Sequence, residues 1–104
     1  MDNLEELVMG IICNAGAARS ACMMAIKAAK EQDFEGAEKF MKAAHDASNE
    51  AHLVQTQLIE ADEGEGKTPM SLILVHAQDH LMNSILCREM AAEFIDLYKT
   101  IHKK

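Results

Sequence analysis

The sequence contains little that favours β-structure. Its 104 residues include one proline, five glycines, three phenylalanines, one tyrosine and no tryptophan. Because turn-forming and aromatic residues are scarce while alanine, leucine and methionine are common, the composition favours helices over strands. A chain of this length that is 49% hydrophobic can bury one modest core. We therefore expect a single all-α domain that spans residues 1–104.

An excess of positive charge is also missing. Ten lysine and arginine residues stand against 17 acidic residues, which gives a formal net charge of -7 at pH 7. A nucleic-acid partner requires a basic surface that neutralises phosphates, and the basic residues do not cluster along this sequence. The expected partners are therefore proteins or small molecules, and not nucleic acids.

Neither a disulfide framework nor an export signal is evident. The cysteines are odd in number and widely spaced, at Cys13, Cys22 and Cys87, which predicts reduced thiols in the core. The N-terminus is acidic where a secretory signal is basic, and its apolar run is short and interrupted by Gly10. With no apolar stretch near the length of a membrane span, we expect a cytoplasmic protein without direct membrane insertion.

Apolar residues recur at spacings of three and four in three segments, which predicts three helices. The first runs from Asp2 to about Glu31, and the second from an N-cap at Asp33 to about Asp62. Short connections predict an antiparallel, up-down-up bundle. The predicted inner face of the second helix comprises Phe34, Ala37, Phe40, Met41, Ala44, Ala47, Ala51, Val54, Leu58 and Ile59.

An acidic loop with two glycines, residues 62–67, precedes the third helix. Thr68 is the predicted N-cap and Pro69 the first helical residue, where a missing N–H is harmless. The helix is predicted to reach the C-terminus, where Lys104 and the basic residues before it suit the negative end of the helix dipole.

One line of the third helix combines polar and apolar side chains. At about 100° per residue, nine positions share this line, which we call the stripe: Leu72, His76, Asp79, Asn83, Leu86, Met90, Phe94, Leu97 and Ile101. Such positions are predicted to be core, and a carboxylate there is costly unless it is paired. Arg88, the nearest arginine or lysine, lies more than two turns away, so Asp79 requires a partner from outside its own helix.

The first half of the third helix is apolar nearly all round, which predicts burial on more than one side. Two other helices cannot cover it, so we infer a homo-oligomer that packs through this helix. Copies of Asp79 would then converge, and like charges that close must take up protons or bind a cation. Carboxylate oxygens suit a hard ion such as magnesium.

Three interpretations of His76, Asp79 and His80 remain open on the residues alone. The first is a metal site, although Ala77 stands where a metalloprotease motif carries its glutamate. The second is phosphoryl transfer through a neutral imidazole, and the third is a polar layer that fixes oligomer register. Arg19 is either a surface residue or a phosphate-binding guanidinium.

Three stretches then match a known family: residues 49–57 (NEAHLVQTQ), 75–82 (VHAQDHLM) and 16–20 (GAARS). Over essentially its whole length the chain resembles enzyme IIA of the lactose/cellobiose family of the sugar phosphotransferase system. The resemblance implies a homotrimer of three-helix subunits that acts as a phosphoryl carrier. It would accept a phosphoryl group from the histidine of phospho-HPr and pass it to the cysteine of a cognate IIB, for phosphorylation of a sugar during import.

By this resemblance His76 is the phosphorylated histidine, modified on Nε2, and Gln78 and His80 are the polar groups around the phosphoryl group. Asp79 matches the aspartate that lies at the trimer axis, one from each subunit, where the family holds a divalent metal, usually Mg²⁺. The LVQTQL and GEGK segments favour the cellobiose and diacetylchitobiose branch over the lactose branch. The alternatives are a structural trimer with a metal-bound polar layer and, third, a metal-dependent hydrolase.

Overall fold

Three long helices account for most of the chain. In this computed structural model α1 is Asp2–Lys30, α2 is Phe34–Asp62 and α3 is Leu72–His102. The structure describes residues 2–66 and 68–103, and contains no strand within them. Met1, Lys67 and Lys104 lie outside the described residues, so the prediction for Lys104 is not tested. The all-α class and the three helices are confirmed.

A three-residue turn reverses the chain between α1 and α2. Asp33 caps α2 as predicted, because its Oδ1 accepts the Gly36 N–H at 2.9 Å and satisfies one of the free donors of the first turn. At the other end, Glu63 adopts a left-handed conformation (φ 54°), and its N–H donates to the carbonyls of Ile59 and Glu60. Both ends of α2 are therefore fixed by local hydrogen bonds.

The start of α3 differs from the prediction. The Thr68 N–H donates to Asp62 Oδ1 at 2.7 Å, so Thr68 belongs to the loop and Pro69 is not helical. Ser71 is the N-cap instead, and its Oγ accepts the Leu74 N–H at 3.2 Å. The helix ends at His102, one residue before its C-cap at Lys103.

Small side chains dominate the contacts between the helices. In the half of the bundle distant from His76, the buried core consists of alanines, Cys22 and Ile95, and alanine allows helix backbones to approach closely. The other half buries larger groups, including Ile11 and Leu81 at 0% exposure. Burial of a side chain of this size contributes about 1.5–3 kcal/mol.

Several residues predicted to be internal lie at the surface. Phe40 and Ile59 are 36% and 61% exposed, because they lie beside the narrow row of α2 that packs inward. The buried residues of α2 are Ala37, Ala44, Ser48, Ala51 and Leu58. Cys22 is buried as predicted, whereas Cys13 is exposed and Cys87 is half-buried.

All nine residues of the stripe are exposed in the single chain, so the prediction that they belong to its core is wrong. The face of α3 that packs inward is a different one, formed by Leu74, Ala77, Leu81, Ser84, Ala91 and Ile95. Leu86, Met90, Leu97 and Ile101 each remain 50–56% exposed. Helix α3 therefore has two apolar faces, of which the bundle covers one.

Helix α1 is long and apolar enough, between Leu4 and Lys30, to cross a membrane by length and composition alone. The expectation that no stretch meets this criterion is therefore wrong. The core helix of a soluble protein passes the same test, and α1 buries a full row of side chains against the other two helices. The finding is weak evidence for a membrane span.

The cap at Ser71 yields a test of where α3 begins. We expect Ser71→Ala to lower the free energy of unfolding by about 1 kcal/mol, because the Leu74 N–H loses its acceptor. Thr68→Ala is the matched control and should change stability by less than about half as much, since the Thr68 side chain caps no helix here. Urea denaturation of both variants measures the difference, and a larger loss for Thr68→Ala would contradict the observed start.

Candidate functional site

His76 and His80 form the centre of the site. They lie one turn apart on α3, and their ring centroids are 4.3 Å apart with a tilt of 46°. His76 is exposed, whereas His80 is half-buried. The site therefore offers one accessible imidazole with a second imidazole directly beside it.

Asp79 lies on the same side of α3 and is also exposed. It forms no ion pair within residues 2–66 and 68–103. Arg88 does not reach it, because Arg88 donates to His45 Nδ1 on α2 at 3.2 Å. Across the described residues no three His, Cys, Asp or Glu side chains form a group that could hold a metal ion. At this position a single chain thus contributes one carboxylate, that of Asp79.

A cleft of about 230 Å³ lies between α1 and α3 beside His80. Its floor is formed by Ala15 and Gly16, whose small size leaves the space open. Arg19, Asp79, His80 and Asn83 line its walls. The Arg19 side chain is exposed and forms no ion pair in the part of the chain that the structure describes. Arg19 is thus exposed on the flank of the site, and both interpretations of its role stay predictions.

Gln78 points away from His76. Two residues correspond to a rotation of about 200° on a helix, so the two side chains lie on nearly opposite sides of α3. The half-buried Gln78 accepts a hydrogen bond from Gln55 Nε2 on α2, with an N···O distance of 2.5 Å. It also lines a largely apolar pocket of about 420 Å³ with Leu58 and Met70. The structure therefore unites His76, Asp79 and His80 but separates Gln78 from them within one chain.

The histidines of α2 do not join the site. His52 lines a groove of about 170 Å³ with Ser48, Asn49 and Arg88, more than two turns along α3 from His76. Gln55 was not predicted as a site residue, although it lies in the LVQTQL segment. Only the packing of α2 on α3 reveals its bond to Gln78, because the two residues are 23 positions apart.

This arrangement suits a nucleophile that must be reached from solution. An exposed imidazole can take up a group through its unprotonated nitrogen, and the neighbouring ring can donate a hydrogen bond to that group. A hydrolase would require a general base that activates a water molecule. Among the described side chains at this site no glutamate stands beside the histidine pair, so such a base would have to be Asp79 or His80.

The chain is similar to known proteins over most of its length. Residues 6–99 match the family described as "PTS system, Lactose/Cellobiose specific IIA subunit". The N,N'-diacetylchitobiose-specific EIIA component of Escherichia coli K12 is 55% identical over 100 residues, which cover 96% of this chain and 86% of that protein.

Two solved structures extend the likeness to the fold. The cellobiose-specific enzyme IIA of Bacillus anthracis has a TM-score of 0.92 at 46% identity, and the match covers 97% of this chain and 93% of that one. The IIA subunit in the IIA(Chitobiose)-HPr complex of Escherichia coli has a TM-score of 0.84 at 54% identity, and covers 96% and 97%. The similarity thus includes almost the whole chain.

Proposed function

Because the chain belongs to the lactose/cellobiose-specific IIA family of the sugar phosphotransferase system, we propose that it carries a phosphoryl group on His76. The donor is phospho-HPr, and the acceptor is the cysteine of a cognate IIB. The observation that supports this most directly is the exposed His76 ring beside His80. An acceptor that meets two proteins in turn has to be accessible to both. A related IIA protein has been solved in complex with HPr, which supports HPr as the partner.

The transfer step requires His76 Nε2 to be unprotonated. Its lone pair attacks the phosphorus in line, the P–N bond to the HPr histidine breaks, and a new P–N bond forms on His76. Transfer onward is the same step in reverse, with the IIB thiolate as the nucleophile and the His76 imidazole as the leaving group. The protein's contribution is to position the ring and to stabilise the charge on the phosphoryl oxygens.

His80 is the residue of the same chain that fits this stabilising role, since its ring lies 4.3 Å from that of His76. Gln78 cannot reach a phosphoryl group on its own His76, because it lies across α3 and is held by Gln55. If Gln78 contributes a donor, the donor comes from a neighbouring subunit. The role of Gln78 thus depends on assembly.

Assembly is the second part of the proposal. The exposed apolar half of the stripe, from Leu86 to Ile101, repeats at spacings of three and four residues. This spacing is typical of helices that pack against each other around an axis. A homotrimer packed through α3 would cover that surface and bring three copies of Asp79 together.

A divalent cation at the axis is the third part of the proposal, and the position of Asp79 supports it. One chain supplies a single unpaired carboxylate, whereas three copies would supply oxygen ligands of the kind that a hard ion such as Mg²⁺ prefers. The ion would offset the repulsion among three negative charges. The donor set therefore fits a magnesium ion in the trimer and not in the single chain.

The system that this subunit serves imports a sugar of the cellobiose or diacetylchitobiose type. This assignment is supported by the names of the similar proteins, which are specific for N,N'-diacetylchitobiose and cellobiose. We place the carrier in the cytoplasm, where phospho-HPr and the IIB domain meet it.

Phosphorylation of His76 is tested with intact-mass analysis after incubation with phosphoenolpyruvate, enzyme I and HPr. We expect one added phosphoryl group per chain for the wild type, none for His76→Ala, and roughly 10²-fold slower transfer for His80→Gln, which lacks the neighbouring imidazole. His52→Ala is the matched control and should be phosphorylated normally. Unchanged phosphorylation of His76→Ala would place the phosphoryl group on another residue. No phosphorylation of the wild type would favour a structural trimer whose histidines only fix assembly.

Assembly through α3 is tested by introducing charge on the stripe. Leu86→Glu should shift the protein from trimer to monomer in size-exclusion chromatography with light scattering, because three buried carboxylates would have to lose their hydration. Leu53→Glu on α2 is a matched control, since Leu53 and Leu86 are both 56% exposed in the single chain. It should remain trimeric. Equal behaviour of the two variants would argue against packing through α3.

The proposed cation predicts a thermal shift that depends on Asp79. Mg²⁺ should raise the Tm of the wild type by about 5 °C relative to EDTA. In EDTA, Asp79→Asn should melt above the wild type because like charges are removed, and Mg²⁺ should not change its Tm. Asp96→Asn, an exposed acid of α3 away from the stripe, should respond like the wild type. A Mg²⁺ response that survives in Asp79→Asn would place the ion elsewhere.

A further inference from the structure

Two thiols from distant parts of the chain meet in the middle of the bundle. Cys22 of α1 is fully buried in a cluster with Ala44 and Ala91, and Cys87 of α3 packs against this cluster. The two alanines have no atoms beyond Cβ, so they leave room for the sulfur atoms between the helices. The two side chains therefore approach each other within one cluster, although they lie 65 positions apart in the sequence.

The surroundings give the two thiols different reactivity. Burial, together with the neighbouring Cys87, raises the pKa of the Cys22 thiol to about 11. At pH 7 only about one Cys22 in 10⁴ is then a thiolate, the form that attacks a disulfide. Cys87 is only half-buried. A reagent from solution therefore reaches Cys87 first.

We infer that Cys22 and Cys87 form a reversible disulfide that ties α1 to α3, with a low-molecular-weight disulfide such as oxidised glutathione as the oxidant. The inference is independent of phosphoryl transfer, because Cys87 lies three turns from His76. It also differs from the expectation of three unconnected thiols. The third thiol, the exposed Cys13, lies on α1 and more than two turns from Cys22, so it has no such neighbour.

The reaction proceeds by two exchanges. The Cys87 thiolate attacks glutathione disulfide, which forms a mixed disulfide and releases one glutathione thiolate. The Cys22 thiolate then attacks the Cys87 sulfur, forms the bond between the helices and releases the second glutathione. Two protein thiols are oxidised, and one glutathione disulfide is reduced to two glutathione molecules. An excess of a small thiol reverses both exchanges.

The test uses the full-length Cys13→Ser protein, which keeps only the two proposed partners. After incubation with oxidised glutathione at pH 8.5, the intact mass should fall by two hydrogen atoms per chain. Trypsin cuts after Arg19, Lys27, Lys67 and Arg88, so the two cysteines lie in separate peptides, residues 20–27 and 68–88. Mass spectrometry should find these peptides joined, and reduction with dithiothreitol should separate them.

Two further measurements distinguish a disulfide that the folded chain favours from unspecific oxidation of the two thiols. The second exchange should accelerate about tenfold per pH unit between pH 7 and 9, as the Cys22 thiolate fraction rises. The oxidised protein should melt roughly 10 °C above the reduced one, because the bond closes a long loop of the unfolded chain. The Cys13→Ser/Cys87→Ser double variant, in which one partner is missing, should show neither effect.

Three outcomes would overturn the inference. One is a protein that stops at the mixed disulfide with glutathione at every pH. Another is crosslinking between chains instead of within a chain, and the last is a joined pair of peptides that forms only after the protein is unfolded in urea. Each would mean that the folded chain does not bring the two sulfur atoms into a geometry that permits a bond.

Discussion

The two apolar faces of α3 are the constraint on which the rest of the structure depends. Helices α1 and α2 cover one face and bury Leu74, Ala77 and Leu81. The other face remains open along the stripe, where Leu86 and Met90 keep at least half of their surface exposed. An apolar surface that extends over most of a long helix is a strong indication of a protein interface. The helix that carries the candidate site is therefore also the helix through which we propose that the chains assemble.

The two halves of the stripe differ in polarity. Its first half contains the polar residues His76, Asp79 and Asn83, whereas its second half, from Leu86 onward, is apolar. Burial of the apolar second half would supply the free energy of assembly. The polar first halves of the assembled α3 helices would then be held in register with one another. In the proposed trimer a carboxylate such as Asp79 would be tolerable at the interface only if a counter-ion offset the charges that assembly brings together.

The sequence predicts the features of this fold that depend on local spacing, and it misses those that depend on contacts between distant residues. The helices and the Asp33 cap follow from patterns within a few residues. The start of α3 does not, because Thr68 is held in the loop by Asp62, six positions earlier. The position of Gln78 is likewise set by Gln55 on another helix. Spacing alone identified the stripe but could not show which side of α3 the bundle covers.

His76 and His80 lie one helical turn apart but differ in exposure, which suits them to different roles in the site. Their spacing alone makes them two imidazoles one helical turn apart, without showing which is accessible. In the structure His80 is half-buried in the cleft beside Arg19, whereas His76 lies at the surface. A half-buried ring beside His76 is suited to donate a hydrogen bond to a group carried there. A ring at the surface is suited to meet two partner proteins in succession, so the packing of α1 against α3 favours His76 as the carrier.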